Sequence, residues 1–369
     1  MRIASFNVEN LFDRARALNQ RSWAVGRPIL ADHAKLNALL QDETYTAATK
    51  ARIVDLLRRL GLAESDEGPF VRLRQNRGRL LRRPKTGGVE VVAGGRADWI
   101  GWVELTTEPV DEIALGNTAR VITDVGADVL GVVEAESRVA LKRFTDGALR
   151  ARSDPAYPHV MLVDGNDERG IDVGVLTRPE YPLRGLRSHV DDVDDRGRVF
   201  SRDCPEYEVV TPGGDPVLVL VNHLKSKGYG GQAASSAMRR RQALRVAEIY
   251  RERVGQGVKH VVVLGDLNDT PGSEPLAPLI DGTDLRDIST HPDFDDGGRP
   301  GTYGNGTAAN KIDYVLLSPA LYERTTGGGI WRKGVWGGKN GTLWPVYDTM
   351  TAPVHAASDH AAVYADVAM

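Results

Sequence analysis

Short apolar runs recur along this chain, and most of them touch a polar residue that can do chemistry. Ile3–Phe6 runs into Asn7, Val129–Val133 into Glu134, Val217–Val221 into Asn222 and His223, and Val261–Leu264 through Gly265 into Asp266 and Asn268. Asp172 opens the run 172–176, Asp313 stands at the start of Ile312–Leu317, and Asp359-His360 immediately precedes Ala361–Val367. Runs this short, bounded by turn formers, read as buried strands rather than helices. Helical spacing of apolar residues appears instead over Asp32–Leu40, Tyr45–Leu60, Thr118–Val125 (with Asn117 as N-cap), Ser137–Arg150 and Gln232–Val254. Tyr207–Val210 and Val217–Val221 read as a hairpin across the turn 212–215.

The texture changes between about residues 14 and 110. This stretch combines two helical patterns with the segment 71–85, which holds seven basic residues and no acidic one, and with Val89–Leu105, which reads as extended structure turning at Gly94-Gly95. The expectation is one domain over 1–369 with 14–110 inserted in it. No repeat or low-complexity tract interrupts the pattern.

Strand ends gather at sheet edges, so Asn7, Glu134, Asp172, His223, Asp266, Asn268, Asp313, Asp359 and His360 are expected at one edge. Asp266 and Asn268 are two apart on an extended backbone, so a carboxylate and an amide point the same way. Carboxylates plus amides, with no thiolate set, favour a hard cation such as Mg²⁺ or Mn²⁺. Histidines with acidic partners suit donation to phosphate oxygens. Phosphoester hydrolysis uses this set: a metal neutralises charge, an acid–amide pair aims water, and cationic donors hold the transition state. A G-x-S-x-G serine and a G-x-x-x-x-G-K-[ST] loop are both missing from the sequence.

Bulk composition narrows the field further. The 369 residues are 41% hydrophobic and 26% charged, with net charge −3, so contact with a polyanion must come from a local patch. One cysteine, Cys204, excludes an internal disulfide. The absence of a long apolar segment or a signal-peptide pattern implies no membrane span and a cytoplasmic location. Nothing in the sequence fixes an oligomeric state.

The stretches SFNVEN, GADVLGVVEAES, RGIDVGVL, VNHLKSK, GDLNDTP, KIDYVLL and SDHAAV together resemble the endonuclease/exonuclease/phosphatase (DNase I-like) superfamily, in the family's order and everywhere except about 14–110. The resemblance implies a four-layer α/β/β/α sandwich, two mixed sheets flanked by helices. It implies Glu134 as metal ligand with Asn7 beside the metal and Asp359 bound directly or through water. Asp266 would activate water and Asn268 orient it. His360 would stabilise the transition state, backed by Asp313, and His223 would be a second phosphate histidine with Asp172 as its partner. Arg169, Lys225 and Lys227 are the expected substrate contacts. The function implied is a Mg²⁺- or Mn²⁺-dependent nuclease acting on DNA or RNA. A phosphatase or phosphodiesterase for small or lipid phosphates is the alternative, and a non-catalytic nucleic-acid-binding protein is the third reading. Arg72–Lys85 reads either as a solvated hairpin face or as a clamp on a polyanion, and Trp331, Trp336 and Trp344 either as base-stacking platforms or as anchors of a long loop.

Overall fold

A computed structural model describes residues 1–11, 16–17, 23–85, 87–106, 112–152, 156–167, 170–227 and 231–369. Contacts divide the chain into two compact units, Met1–Phe12 with Val110–Met369, and Asp13–Pro109. No helix among the described residues is long and apolar enough to cross a membrane.

Strand β1, Arg2–Leu11, belongs to the larger unit. The smaller unit follows, with α1 (Trp23–Leu39), α2 (Ala47–Arg59) and the antiparallel pair β2 (Val71–Gly78) and β3 (Trp99–Leu105). Thr46 caps α2, its Oγ1 accepting from the Thr49 N–H at 3.1 Å. Leu36, Leu40, Ile53, Leu57, Val71, Leu73, Trp99 and Val103 form this unit's own core. The expected turn at Gly94-Gly95 is not a hairpin. Trp99–Leu105 pairs back onto Val71–Gly78, because alternate residues of both strands join that core.

In the larger unit the elements that build the layers are α3 (Glu112–Val125), β4 (Val129–Ala135), α4 (Arg138–Phe144), β5 (His159–Leu162), β6 (Asp172–Thr177), β7 (Leu183–Arg187), β8 (Glu206–Val210), β9 (Pro216–His223), α5 (Gln232–Gly255), β10 (Val261–Asp266), β11 (Arg286–Asp287), β12 (Phe294–Asp295), β13 (Asp313–Leu317), β14 (Thr325–Trp331) and β15 (Ala362–Val367). One sheet has the order β12-β14-β15-β1-β4-β6-β5 and the other β11-β13-β10-β9-β8-β7. Both are mixed: β1 and β4 run parallel, as do β9 and β10, while their other neighbours are antiparallel.

Side-chain alternation along these strands builds the layers. Ile3, Val129, Val133, Val219, Val262, Leu264 and Val315 meet in one cluster between the sheets. Ala4, Phe6, Leu130 and Val132 face Val121, Ile122 and Val125 of α3 and Leu141 and Phe144 of α4. Leu220, Val261, Val263 and Leu316 face Ala243, Val246 and Tyr250 of α5. Layers of helix, sheet, sheet and helix result, as expected.

Three helix boundaries differ from the sequence reading, the first being that of α1, which begins at Trp23 rather than Asp32. Asn117 does not cap a helix. It lies buried inside α3, donating from Nδ2 to the His355 carbonyl at 2.8 Å and accepting from Thr349 Oγ1 at 2.5 Å. The apolar stripe begins earlier, with Leu115 on the same core. The helix beginning after Ser137 is regular only to Phe144, then widens into a π turn over Thr145–Leu149.

Candidate active site

Strand parity explains which side chains meet. On β1 the residues Ala4, Phe6 and Val8 face the helices, so Asn7 shares the inner side with Ile3. On β10, Val262 and Leu264 place Asp266 inward. On β13, Leu317 and Val315 do the same for Asp313, and on β9, Val217, Val219 and Val221 for His223. The register sets His223 opposite Asp266 and Asp266 opposite Asp313, three residues in a row across one sheet. Asn7 reaches over from the other sheet, donating from Nδ2 to Asp266 Oδ2 at 3.3 Å.

His360 completes the cluster from the turn before β15. Its Nδ1 meets Asp313 Oδ2 at 2.9 Å, leaving Nε2 directed towards Asp266 Oδ2 at 4.0 Å and Asp359 Oδ1 at 3.6 Å. Thr302 Oγ1 donates to the same Asp313 oxygen at 2.6 Å. Burial opposes a charged ring, but Asp313, Asp266 and Asp359 outweigh it and hold the His360 pKa well above its ordinary value. The Tyr303 ring lies 4.9 Å from the His360 ring. Burial, with Asp313 next, pushes the Asp266 carboxyl up to about 7, while His360 and the Asn268 N–H oppose the shift. That N–H donates to Asp266 Oδ1 at 2.8 Å, and Asn268 Nδ2 is tied to the Leu224 carbonyl at 3.1 Å.

Among the described residues, three that are not glycine have left-handed backbone: Glu9 (φ 51°), Glu134 (φ 67°) and Asn268 (φ 56°). All three lie at this sheet edge. Such conformations cost about 1–3 kcal/mol each, so surrounding structure must hold them. Glu134 sits where the β4–β6 register shifts, between Val133 and Ala135. Glu9 sits in the matching irregularity of β1 against β4, between Asn7 and Leu11. Glu9 was not singled out from the sequence. Its spacing of two from Asn7 was visible there, but the bulge that turns it was not. Its N–H donates to Asn7 Oδ1 at 3.0 Å and its Oε2 accepts from the Asp359 N–H at 2.9 Å, while Ser358 Oγ donates to the Asn7 carbonyl at 2.7 Å.

Glu9, Glu134 and Asp359 form a carboxylate group. Burial first and Asp359 second raise the Glu9 pKa to about 8, with Glu134 adding to the effect. Asp359 is raised by burial, opposed by His360 and reinforced by Glu134. A divalent cation with hard oxygen preference would relieve this repulsion, so the donor set fits Mg²⁺ or Mn²⁺. Asp266, Asp313 and His360 also bring ligand atoms within 4.8 Å of one another. In that triad Asp313 Oδ2 already accepts from Thr302 and meets His360 Nδ1, while Asp313 Oδ1 is buried without a hydrogen-bond partner among the described residues.

Other expected contacts fall out differently. His223 Nε2 lies 3.7 Å from Glu134 Oε1 and 3.6 Å from Asp266 Oδ2. Asp172 is not within ion-pair distance of it. The Asp172 carboxylate accepts instead from the Gly165 N–H at 2.8 Å, and burial, opposed by that bond, pushes it up to about 7. Lys227 pairs with Asp269 Oδ1 at 2.7 Å, and the Lys225 N–H donates to Gln242 Oε1 at 2.7 Å. Arg239 is buried under this loop, with Nε on Asp269 Oδ2 at 2.9 Å and Nη1 on the Lys225 carbonyl at 2.6 Å. The sequence left its role ambiguous. Arg169 lies outside the described residues. In the tryptophan loop, Trp331 Nε1 donates to Tyr347 Oη at 3.3 Å and Trp344 Nε1 to the Val335 carbonyl at 2.9 Å, which anchors both rings.

Two mixed sheets packed face to face with helices outside define the DNase I-like fold. Solved structures agree. A mannosyl-6-phosphatase from Bacteroides thetaiotaomicron VPI-5482 superposes with a TM-score of 0.51 at 17% identity, over 69% of this chain and 91% of that one. An endonuclease/exonuclease/phosphatase family protein, also from Bacteroides thetaiotaomicron, gives 0.51 at 17% over 68% and 85%. No curated protein matches. The model of the Endonuclease/Exonuclease/phosphatase family matches residues 111–360, and the chain belongs to this family of phosphoester hydrolases.

Proposed function

We propose that this protein is a divalent-metal-dependent phosphodiester hydrolase whose substrate class is nucleic acid, DNA or RNA, and that residues 14–110 are an insertion in its single catalytic domain. One observation carries the reading. Asp266 is held from both oxygens, by Asn7 at 3.3 Å and by the Asn268 N–H at 2.8 Å, beside an Asp313-backed His360. Glu134, Asn7 and Asp359 would hold Mg²⁺ or Mn²⁺, which supplies charge neutralisation at the phosphate. Asp266 takes a proton from the attacking water, and Asn268 fixes the carboxylate that does so. Water attacks phosphorus in line, opposite the leaving oxygen, with no covalent intermediate. His360 presents Nε2–H to a phosphoryl oxygen, because Nδ1 is committed to Asp313. His223 donates to the same group from the other side of Asp266.

Charge segregation supports nucleic acid over a small ester. Residues 13–109 carry 17 Arg/Lys against 12 Asp/Glu, net +5, while the rest carries 30 against 38, net −8. The second reading, hydrolysis of a small phosphomonoester, is favoured by the likeness to a protein named as a mannosyl-6-phosphatase. The deciding assay offers circular DNA, RNA and a generic phosphomonoester in parallel, with EDTA, Mg²⁺ or Mn²⁺, to wild type and Asp266→Ala. Metal-dependent cleavage of polynucleotide that falls about 100-fold or more in Asp266→Ala is expected. Turnover of the monoester alone would favour the second reading, and undiminished activity of Asp266→Ala would reject the site.

A further inference from the structure

In the smaller unit, β2 and β3 form a two-stranded sheet with unlike faces. Val71 and Leu73 of β2 and Trp99 and Val103 of β3 point into that unit's core. The other face alternates with them and looks outward. Its cross-strand partners are Arg72 with Glu104, Arg74 with Trp102, and Arg77 with Ile100. Residues directly opposite share a face. Trp102 is 41% exposed and Ile100 39% exposed, large apolar side chains on an otherwise charged surface. Arg79, one residue past the end of β2, and Lys85 further along the chain are exposed as well.

Part of this charge is compensated. Arg72 pairs with Glu67 at 2.9 Å, Arg74 with Glu104 at 2.7 Å, Arg82 with Glu90 at 2.5 Å and Arg83 with Asp66 at 2.7 Å. Arg77, Arg79 and Lys85 make no ion pair among the described residues. The surface is therefore an exposed indole set between arginines, with a cationic end beyond it.

We propose that this outer face of β2 and β3 is a binding platform for single-stranded polynucleotide, on which Trp102 stacks a base and Arg77, Arg79 and Lys85 neutralise phosphates. Base stacking on an aromatic side chain is tolerant of sequence, and backbone contact by Arg and Lys adds affinity that falls with salt. A single strand is the fitting occupant because its bases have free faces, whereas those of a duplex are already stacked on one another. The proposal draws on the nucleic-acid reading of the catalytic site for the identity of the anion, but binding here needs neither metal nor turnover.

The test uses the full chain in EDTA, so that binding is read without hydrolysis. Fluorescence anisotropy follows a labelled oligothymidylate of about 20 nucleotides, and the same length of duplex, over a salt series. Expected is tighter binding of the single strand than of the duplex. Trp102→Ala should weaken it about 10-fold with the salt slope unchanged. Arg77→Gln with Arg79→Gln should lower that slope by about 1.4, from roughly 0.7 per phosphate contact. All of these side chains are exposed, so matched melting curves exclude misfolding. Equal affinity for duplex, equal affinity for anionic phospholipid vesicles, or no change in either variant would overturn the platform. A wild-type chain that binds the single strand but shows no phosphodiesterase activity with Mg²⁺ or Mn²⁺ would count against the catalytic reading and leave this one standing.

Discussion

Asp313 on one sheet and His360 before the last strand of the other are joined by a 2.9 Å hydrogen bond between Oδ2 and Nδ1, across 47 residues of chain. That bond fixes which ring nitrogen faces the site. Asp313→Asn keeps the shape and the Thr302 contact but removes the charge that stabilises the imidazolium. The expected result is a fall in kcat of about 100-fold, with a smaller change in KM. Thr302→Val, which removes one of the two donors on Asp313 Oδ2 but leaves the His360 bond, should cost less. Steady-state kinetics on the preferred substrate measure both, and an unchanged kcat in Asp313→Asn would mean that His360 does not act as a cation.

Glu9 is a positioning residue for the Asp359-His360 turn, through its 2.9 Å bond from the Asp359 N–H. Glu9→Gln keeps an acceptor there and Glu9→Ala does not. Activity should therefore fall about 10-fold in Glu9→Ala and less in Glu9→Gln, with the half-saturating metal concentration raised more in the alanine variant. Identical metal titrations for wild type and both variants would remove Glu9 from the site.

Gly265 precedes Asp266 with φ 132°, and a Cβ there would lie 1.9 Å from the Asn222 carbonyl oxygen. Backbone cannot move aside as a flexible side chain can, since Asn222 is the cross-strand partner of Gly265. Gly265→Ala should destabilise the fold by about 3 kcal/mol or more and shift Asp266 off Asn7. Urea unfolding gives the first quantity and turnover the second. A variant of wild-type stability would show that β9 and β10 can separate at no cost.

Much of this was legible in the strand pattern. The runs ending in Asn7, His223 and Asp266, and the one opened by Asp313, carry their parity in the sequence, so their convergence follows from alternation alone. The family match added the order of the motifs. Hidden were features that depend on interruption of that alternation. The bulges at Glu9 and Glu134 rotate side chains in a way no periodicity records. Asp172 was expected beside His223 from the family resemblance, yet its Oδ1 accepts from the Gly165 N–H instead. Arg239 looked like one charge in a basic helix, and only the packing of α5 shows it buried against Asp269 and the Lys225 carbonyl.

A second buried network, away from the catalytic cluster, sets a pH dependence of stability. Arg253 grips Glu206 through Nε at 2.6 Å and Nη2 at 2.7 Å, and His189 meets Glu206 through Nε2 at 2.8 Å and Asp192 through Nδ1 at 3.0 Å. Arg245 Nε donates to the same Asp192 oxygen, Oδ2, at 2.7 Å. Burial works against the charged form of Glu206, but Arg253 and His189 prevail and bring it from 4.5 to about 2. Burial likewise opposes His189, and Glu206 and Asp192 raise it above 6.5. The two shifts have opposite signs. The Glu206 contribution is present above pH 4.5 and lost as pH falls towards about 2, while that of His189 is present below pH 6.5 and lost as pH rises through its higher folded value. Both act together between those limits. Glu206→Gln leaves Arg253 buried without its counter-charge and should cost about 3 kcal/mol. His189→Gln should lower Tm most between pH 4.5 and 6.5, with the difference from wild type shrinking in alkaline buffer. Thermal melts of wild type and His189→Gln across pH measure this. A difference that stays constant, or grows with pH, would show that His189 is held neutral and that Arg253 alone keeps Glu206 ionised.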